Sequence, residues 1–184
     1  MSQRLFSFVG GGAGSWRVSD MKRVKGDPLP LVSRIAVVLH PAPEGGASWV
    51  LRGVTSNDRY ATRDEKARLV ARQAPLGRPQ ADRAALIPIR KTSEWWALPQ
   101  DERRRIFEEQ SNHIRIGEKY LPAIARRLHH CRDLGTDEPF DFLTWFEFGS
   151  SDAKPFEELL AELRRTEEWR YVEREVDIRL ERAG

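Results

Sequence analysis

The stretch DFLTWFEFGS alternates so that Phe142, Thr144, Phe146 and Phe148 fall on one face. A period-two repeat of this kind specifies a pleated strand whose aromatic face has to be covered. YVEREVDIRLE repeats the pattern, with Val172, Val176, Ile178 and Leu180 on one side. Earlier, RLFSFVG stops at a glycine run, and RIAVVLH (34–40) is a continuous apolar run closed by PAPEGG. SWVLRGVTS and RAALIPIRK add further strands, the last pushed toward an edge or a bulge by Pro88.

Helical periods separate these strands. TRDEKARLVARQ (62–73) begins with a capping box, Thr62 and then Glu65, and carries Ala67, Leu69, Val70 and Ala71 on a modest apolar side. KPFEELLAELRRTEEW is amphipathic, with Phe156, Leu159, Leu160 and Leu163 at helical spacing. Residues 99–131 are helical in character, but Gly117 and Pro122 interrupt them. Strands, helix, strand, helices, strand, helix, strand is the order of an α+β protein with antiparallel sheets covered by helices on one face. The expected arrangement is one domain, 1–184, of two ferredoxin-like halves (1–92 and 93–184) sharing a barrel-type antiparallel sheet flanked by helices. No short sequence repeat marks the halves, so the duplication is one of structure only.

Charge and cysteine content exclude several classes. Thirty-one basic residues face 28 acidic ones, and the signs interleave as in DERRRIFEEQ, which suits solvated faces rather than a nucleic-acid stripe. No apolar run reaches the roughly 20 residues of a membrane helix. MSQRLFSFVGGGAG has no sustained apolar core of a signal peptide, so the cytoplasm is the expected compartment. The single cysteine, Cys131, excludes an internal disulfide and a CxxC zinc site, and reads as a packing residue.

Two glycine and histidine motifs have ordinary readings. VGGGAGS lacks the lysine-serine ending of a phosphate loop and is a turn between strands. His129 and His130 read as helix C-terminal residues facing exposed carbonyls, and His40 as the structural end of a strand. His113, between Asn112 and IRIG, has two readings: a satisfied half-buried histidine, or an axial ligand to haem iron. A ligand of that kind wants a carboxylate on its other ring nitrogen, and RRTEEW contains two.

Three segments, EWWALPQDERRRIFEEQSNHIRIGEKYLPAIARRL, FDFLTWFEF and LRRTEEWRYVEREVDI, occur in the order found in the chlorite dismutase family, and GVTSNDRYATRDE resembles its strand and loop leading into a helix. The chain is similar to the family's short form, and the ordered set of segments carries the resemblance.

That resemblance implies a haem b enzyme converting chlorite to chloride and dioxygen. It implies His113 as the proximal iron ligand, with Gly117 and Tyr120 in register, and Glu167 as its carboxylate partner, with Glu168 the alternative. Arg126, thirteen residues after His113, falls at the distal position. Coproheme decarboxylases, the sister group, usually carry glutamine there; a haem-binding protein without catalysis is the other alternative. A guanidinium suits the small anion chlorite, which it can attract and retain by charge-assisted hydrogen bonds. Thirteen residues of straight helix span about 19.5 Å and turn the side chain away, so His113 and Arg126 require a break between Gly117 and Pro122. Lys91, Trp95 and Tyr60 correspond to residues near the haem propionates, and Leu128, Thr144 and Phe146 to the distal wall. Arg59 stands where some longer members have asparagine. Likeness to the short form implies a homodimer; the interleaved charges and the lack of a long apolar run lead to the expectation of no nucleic-acid or membrane partner.

Overall fold

In the computed structural model, which describes residues 4–39, 42, 45–55 and 60–184, the strands are β1 (Leu5–Gly11), β2 (Trp16–Lys25), β3 (Arg34–Leu39), β4 (Trp49–Val54), β5 (Arg83–Lys91), β6 (Ala125–His130), β7 (Phe142–Phe148) and β8 (Val172–Arg182). They close into one antiparallel barrel in the order β1-β3-β2-β8-β5-β7-β6-β4. The order 4-1-3-2 occurs twice, once in β1–β4 and once in β5–β8. The α+β architecture expected from the strand and helix order is therefore present, with the sheet closed within a single chain.

The two seams between these sets differ. β2 and β8 pair from Trp16↔Arg182 to Lys25↔Glu175, with two register shifts. Across β4 and β6 a single pair, Val54↔His130, is formed among the described residues.

Alternation divides each strand between two cores. Phe8, Trp16, Ile35, Leu51, Leu86, Leu143, Trp145 and Ile178 fill the barrel interior. The outward face of β5 and β7, with Ile87, Ile89, Phe146 and Phe148, is covered by α5 (Ala153–Arg164) and α4 (His113–Lys119). Phe156, Leu159, Leu160 and Leu163 are the buried stripe of α5, as their spacing predicts. Removing side chains of this size from water stabilises by about 1.5–3 kcal/mol each.

Several local readings are corrected. Residues 125–130 are the strand β6, so His129 and His130 do not end a helix. β2 carries no recognisable pattern because most of its residues are exposed. Pro88 lies within the barrel, with β5 flanked by β7 and β8; it has no N–H to give, and pairing to β8 skips Ile87 and Pro88. Val172 joins the outer cluster whereas Val176, Ile178 and Leu180 face inward.

The glycine run is a turn: β1 ends at Gly11, and Gly14 has φ +136°, a conformation that favours glycine. His40 and Arg59 lie outside the described residues. No described helix is long and apolar enough to cross a membrane.

Candidate functional site

A cavity of about 310 Å³ lies between the outward face of β5, β7 and β6 and the helices α4, α5 and α1 (Arg63–Arg72). Registry explains its wall. Leu128 pairs with Thr144, and Thr144 with Ile87; His130 pairs with Phe142, and Phe142 with Ile89. One face of three strands thus presents Ile87, Ile89, Phe142, Thr144, Phe146, Leu128 and Arg126 to the same hollow. α1 covers the mouth with Leu69 and Val70, and its capping box of Thr62 and Glu65 forms as the sequence predicts. None of its residues is buried.

His113 starts α4, following Asn112 in a left-handed conformation (φ 52°). The short helix α3 (Gln100–Arg104) runs into a π-helical segment, Arg105–Gln110, which precedes His113 and brings Phe107 onto the imidazole at 4.3 Å between centroids, nearly parallel. The backbone N–H of Ile114 donates to Glu108 at 2.7 Å, fixing this entrance to the helix.

The carboxylate beside His113 is Glu168, with Oε2 2.6 Å from Nδ1. Glu167, the expected partner, instead accepts from Arg170 at the surface; the 3₁₀ turn Glu167–Tyr171 points consecutive residues in different directions. Glu168 is 4% exposed. Its backbone N–H donates to Ser111 Oγ at 2.8 Å. Burial alone would raise its carboxyl pKa, but Lys91 and His113 together outweigh burial and hold it at about 2.

Lys91 supplies much of that effect. Its Nζ donates to Glu168 Oε1 at 2.7 Å and lies 4.3 Å from the centroid of the Trp95 ring. The expectation of a lysine offered to propionates is corrected: Lys91 is 4% exposed and committed to Glu168. A register shift between Arg90 and Lys91 turns the latter inward, leaving Arg90 in solvent.

Trp95 is held in α2 (Ser93–Ala97), which Thr92 caps by accepting from the Trp95 N–H at 3.3 Å. Its ring is 1% exposed, yet its Nε1–H has no hydrogen-bond partner among the described residues. Tyr60 packs edge-on to it at 6.0 Å and accepts from Arg103 at 3.3 Å through its hydroxyl.

Arg126 enters from the strand wall, facing the cavity from β6 while Phe146 pairs with it on β7. The break expected between Gly117 and Pro122 is present: α4 ends at Lys119, Leu121–Pro122 is a cis peptide, and β6 begins at Ala125. A Cβ on Gly117 would collide with the Arg126 guanidinium, so the arginine reaches across to the helix that carries His113. Gln73 Nε2 donates to the Arg126 carbonyl at 2.6 Å.

Sequence reasoning missed Ile87, Ile89, Phe107 and Trp169 as cavity residues. Trp169 lies nearly parallel to His113 at 6.5 Å and donates through Nε1 to Glu175 at 2.9 Å. The alternation of β5 marks Ile87 and Ile89 as one face; nothing in the sequence marks Phe107, because a π-helical turn lies outside the usual periods.

These residues fit a haem. With Nδ1 taken by Glu168, Nε2 is the ring nitrogen left for a metal. Apolar side chains line most of the walls, and the unpartnered indole N–H of Trp95 suits an incoming carboxylate. Among the described residues no group of three or more His, Cys, Asp or Glu side chains could hold a bare ion.

Comparison with known proteins agrees with this geometry. The chlorite dismutase family model matches residues 45–182. A curated chlorite dismutase from Ideonella dechloratans is 31% identical over 88 residues, which are 48% of this chain and 28% of that protein's length. Among solved structures, a dimeric chlorite dismutase from Nitrobacter winogradskyi is 54% identical, with a TM-score of 0.89 over 97% of this chain and 99% of that one. Chlorite dismutase from Candidatus Nitrospira defluvii in complex with imidazole is 27% identical, with a TM-score of 0.57 over 79% of this chain and 56% of that one.

Proposed function

The chain belongs to the chlorite dismutase family, and from that membership we propose that it is a haem b enzyme decomposing chlorite to chloride and dioxygen. The observation that carries this reading is the hydrogen-bonded set Lys91–Glu168–His113 facing Arg126 within one cavity.

His113 would hold the haem iron through Nε2, the ring nitrogen that Glu168 leaves free. Glu168 stays ionised, because Lys91 neutralises it, and so accepts the Nδ1–H and leaves that proton on the imidazole. This fixes the ring's orientation and raises the basicity of Nε2. Trp95 donates its indole N–H to a haem propionate, with Tyr60 beside it. Bound haem supplies the oxygen-atom transfer from chlorite.

Arg126 acts on the small anions. Its guanidinium would bind chlorite by charge-assisted hydrogen bonds and would hold the hypochlorite left by oxygen-atom transfer inside the cavity. Ile87, Leu128, Thr144 and Phe146 keep the cavity dry, so that each of these charge interactions is stronger than it is in water. By likeness to the dimeric Nitrobacter enzyme, the working form is a homodimer.

The test is to load the purified protein with haem b and measure oxygen and chloride on adding chlorite. Equal yields of the two are expected. Tight haem binding with no oxygen release overturns the proposed activity.

A further inference from the structure

Beside the cavity lies an open groove of about 480 Å³, lined by Val70, Gln73, Ala74, Pro75 and Leu76. Arg126 and Arg127 border both hollows. Arg126 belongs to the site already described; Arg127 has no role there.

Its setting is unusual for an arginine. Arg127 Nε donates to His129 Nε2 at 2.9 Å, and its Cζ sits 3.8 Å from the centroid of the Phe6 ring. His129 is fully buried, with Nδ1 3.0 Å from the Leu143 carbonyl. Since Nε2 accepts, the ring proton is on Nδ1 and donates to that carbonyl. His129 thus orients Arg127 without carrying charge, and burial pushes its own pKa down to about 4.

The two Nη groups of Arg127 make no hydrogen bond among the described residues, and no described carboxylate lies within ion-pair distance. Glu147, whose charge bears on it, is already engaged: Gly77 N–H donates to one oxygen at 2.6 Å and Trp145 Nε1 to the other at 2.9 Å. A half-buried, oriented guanidinium whose Nη groups are unpaired among the described residues, and whose influencing carboxylate Glu147 is already hydrogen-bonded elsewhere, attracts mobile anions, and the groove leads to it.

We propose that Arg127 is a transit site for small monovalent anions, drawing chlorite along the groove toward Arg126 and receiving chloride as it leaves. The role in turnover rests on the activity proposed above; the anion site itself does not.

Two experiments separate these. Crystals of the metal-free wild-type protein soaked in bromide should show a bromide within hydrogen-bond reach of the Arg127 Nη groups. An empty position there, with bromide bound elsewhere, overturns the site. In the haem-loaded protein, Arg127→Gln should lower the azide association rate constant and kcat/KM for chlorite about three- to tenfold at low salt, with most of the loss restored by Arg127→Lys. Raising the ionic strength should bring wild type toward Arg127→Gln. Identical rate constants and salt dependence in the two proteins overturn the proposal. Should chlorite yield no oxygen from either, the activity fails, and the bromide and azide measurements still judge Arg127.

Discussion

His113 Nδ1 stands 2.6 Å from Glu168 Oε2 while Lys91 holds the carboxylate's other oxygen at 2.7 Å. Three ionisable groups from β5, α4 and the turn before β8 meet in an almost sealed space, where only mutual pairing makes ionisation tolerable. The charge on Glu168 is what orients the histidine, and the charge on Lys91 is what keeps Glu168 ionised.

Removing Lys91 should therefore be costly. Lys91→Met leaves a buried carboxylate short of its cation, and a loss of about 3–5 kcal/mol is expected in urea unfolding of the metal-free protein. Lys91→Met with Glu168→Gln should recover part of that loss, since no lone charge remains. A single variant as stable as wild type contradicts this account.

Arg126→Ala should keep haem and a five-coordinate histidine spectrum, because none of the His113 contacts involve it. Chlorite turnover should fall at least tenfold, or the haem should bleach within few turnovers, as the released oxyanion escapes. Oxygen yield per haem measures both; wild-type yield and rate remove Arg126 from the mechanism.

Gly117→Ala separates stability from activity. Alanine favours a helix interior over glycine by about 1 kcal/mol, and the collision of its Cβ is with the end of a flexible side chain. The melting temperature should hold or rise, while turnover drops because Arg126 is displaced. Unchanged kcat with raised stability shows that the arginine does not need this seat.

His129 should make stability depend on pH. Its folded pKa, about 4, lies below the ordinary 6.5. The unfolded chain therefore binds the extra proton first as pH falls, and stability declines from about pH 6.5 and levels off below about pH 4, by up to about 3 kcal/mol. His129→Leu should lack this part of the slope. Parallel denaturation profiles for the two proteins across pH 4–7 rule it out.

Much of this site was legible. Alternation placed Thr144 and Phe146 on one face of β7, the capping box placed α1, and the interruption at Gly117 and Pro122 allowed His113 and Arg126 to share a hollow. Elements with polar residues on both faces were not. In β6, Arg126, Leu128 and His130 lie on the cavity face, whereas His129 and the Arg127 guanidinium pack beside Phe6 although Arg127 still borders the cavity, so no apolar period appears in ARRLHH. The choice of Glu168 over Glu167 depends on a turn of less than two windings, and the inward swing of Lys91 on a one-residue register shift; neither leaves a trace in composition or spacing.

The unequal seams of the barrel have a kinetic meaning. A long ladder between β2 and β8 has to break many hydrogen bonds at once, whereas β4 and β6 are joined by one described pair, Val54↔His130. Opening by fluctuation should begin at that weak join, with backbone amides of β4 exchanging for deuterium well before those in the middle of β8. The barrel behaves as a band with one firm weld and one clasp, and the clasp lies at His130, on the rim of the cavity.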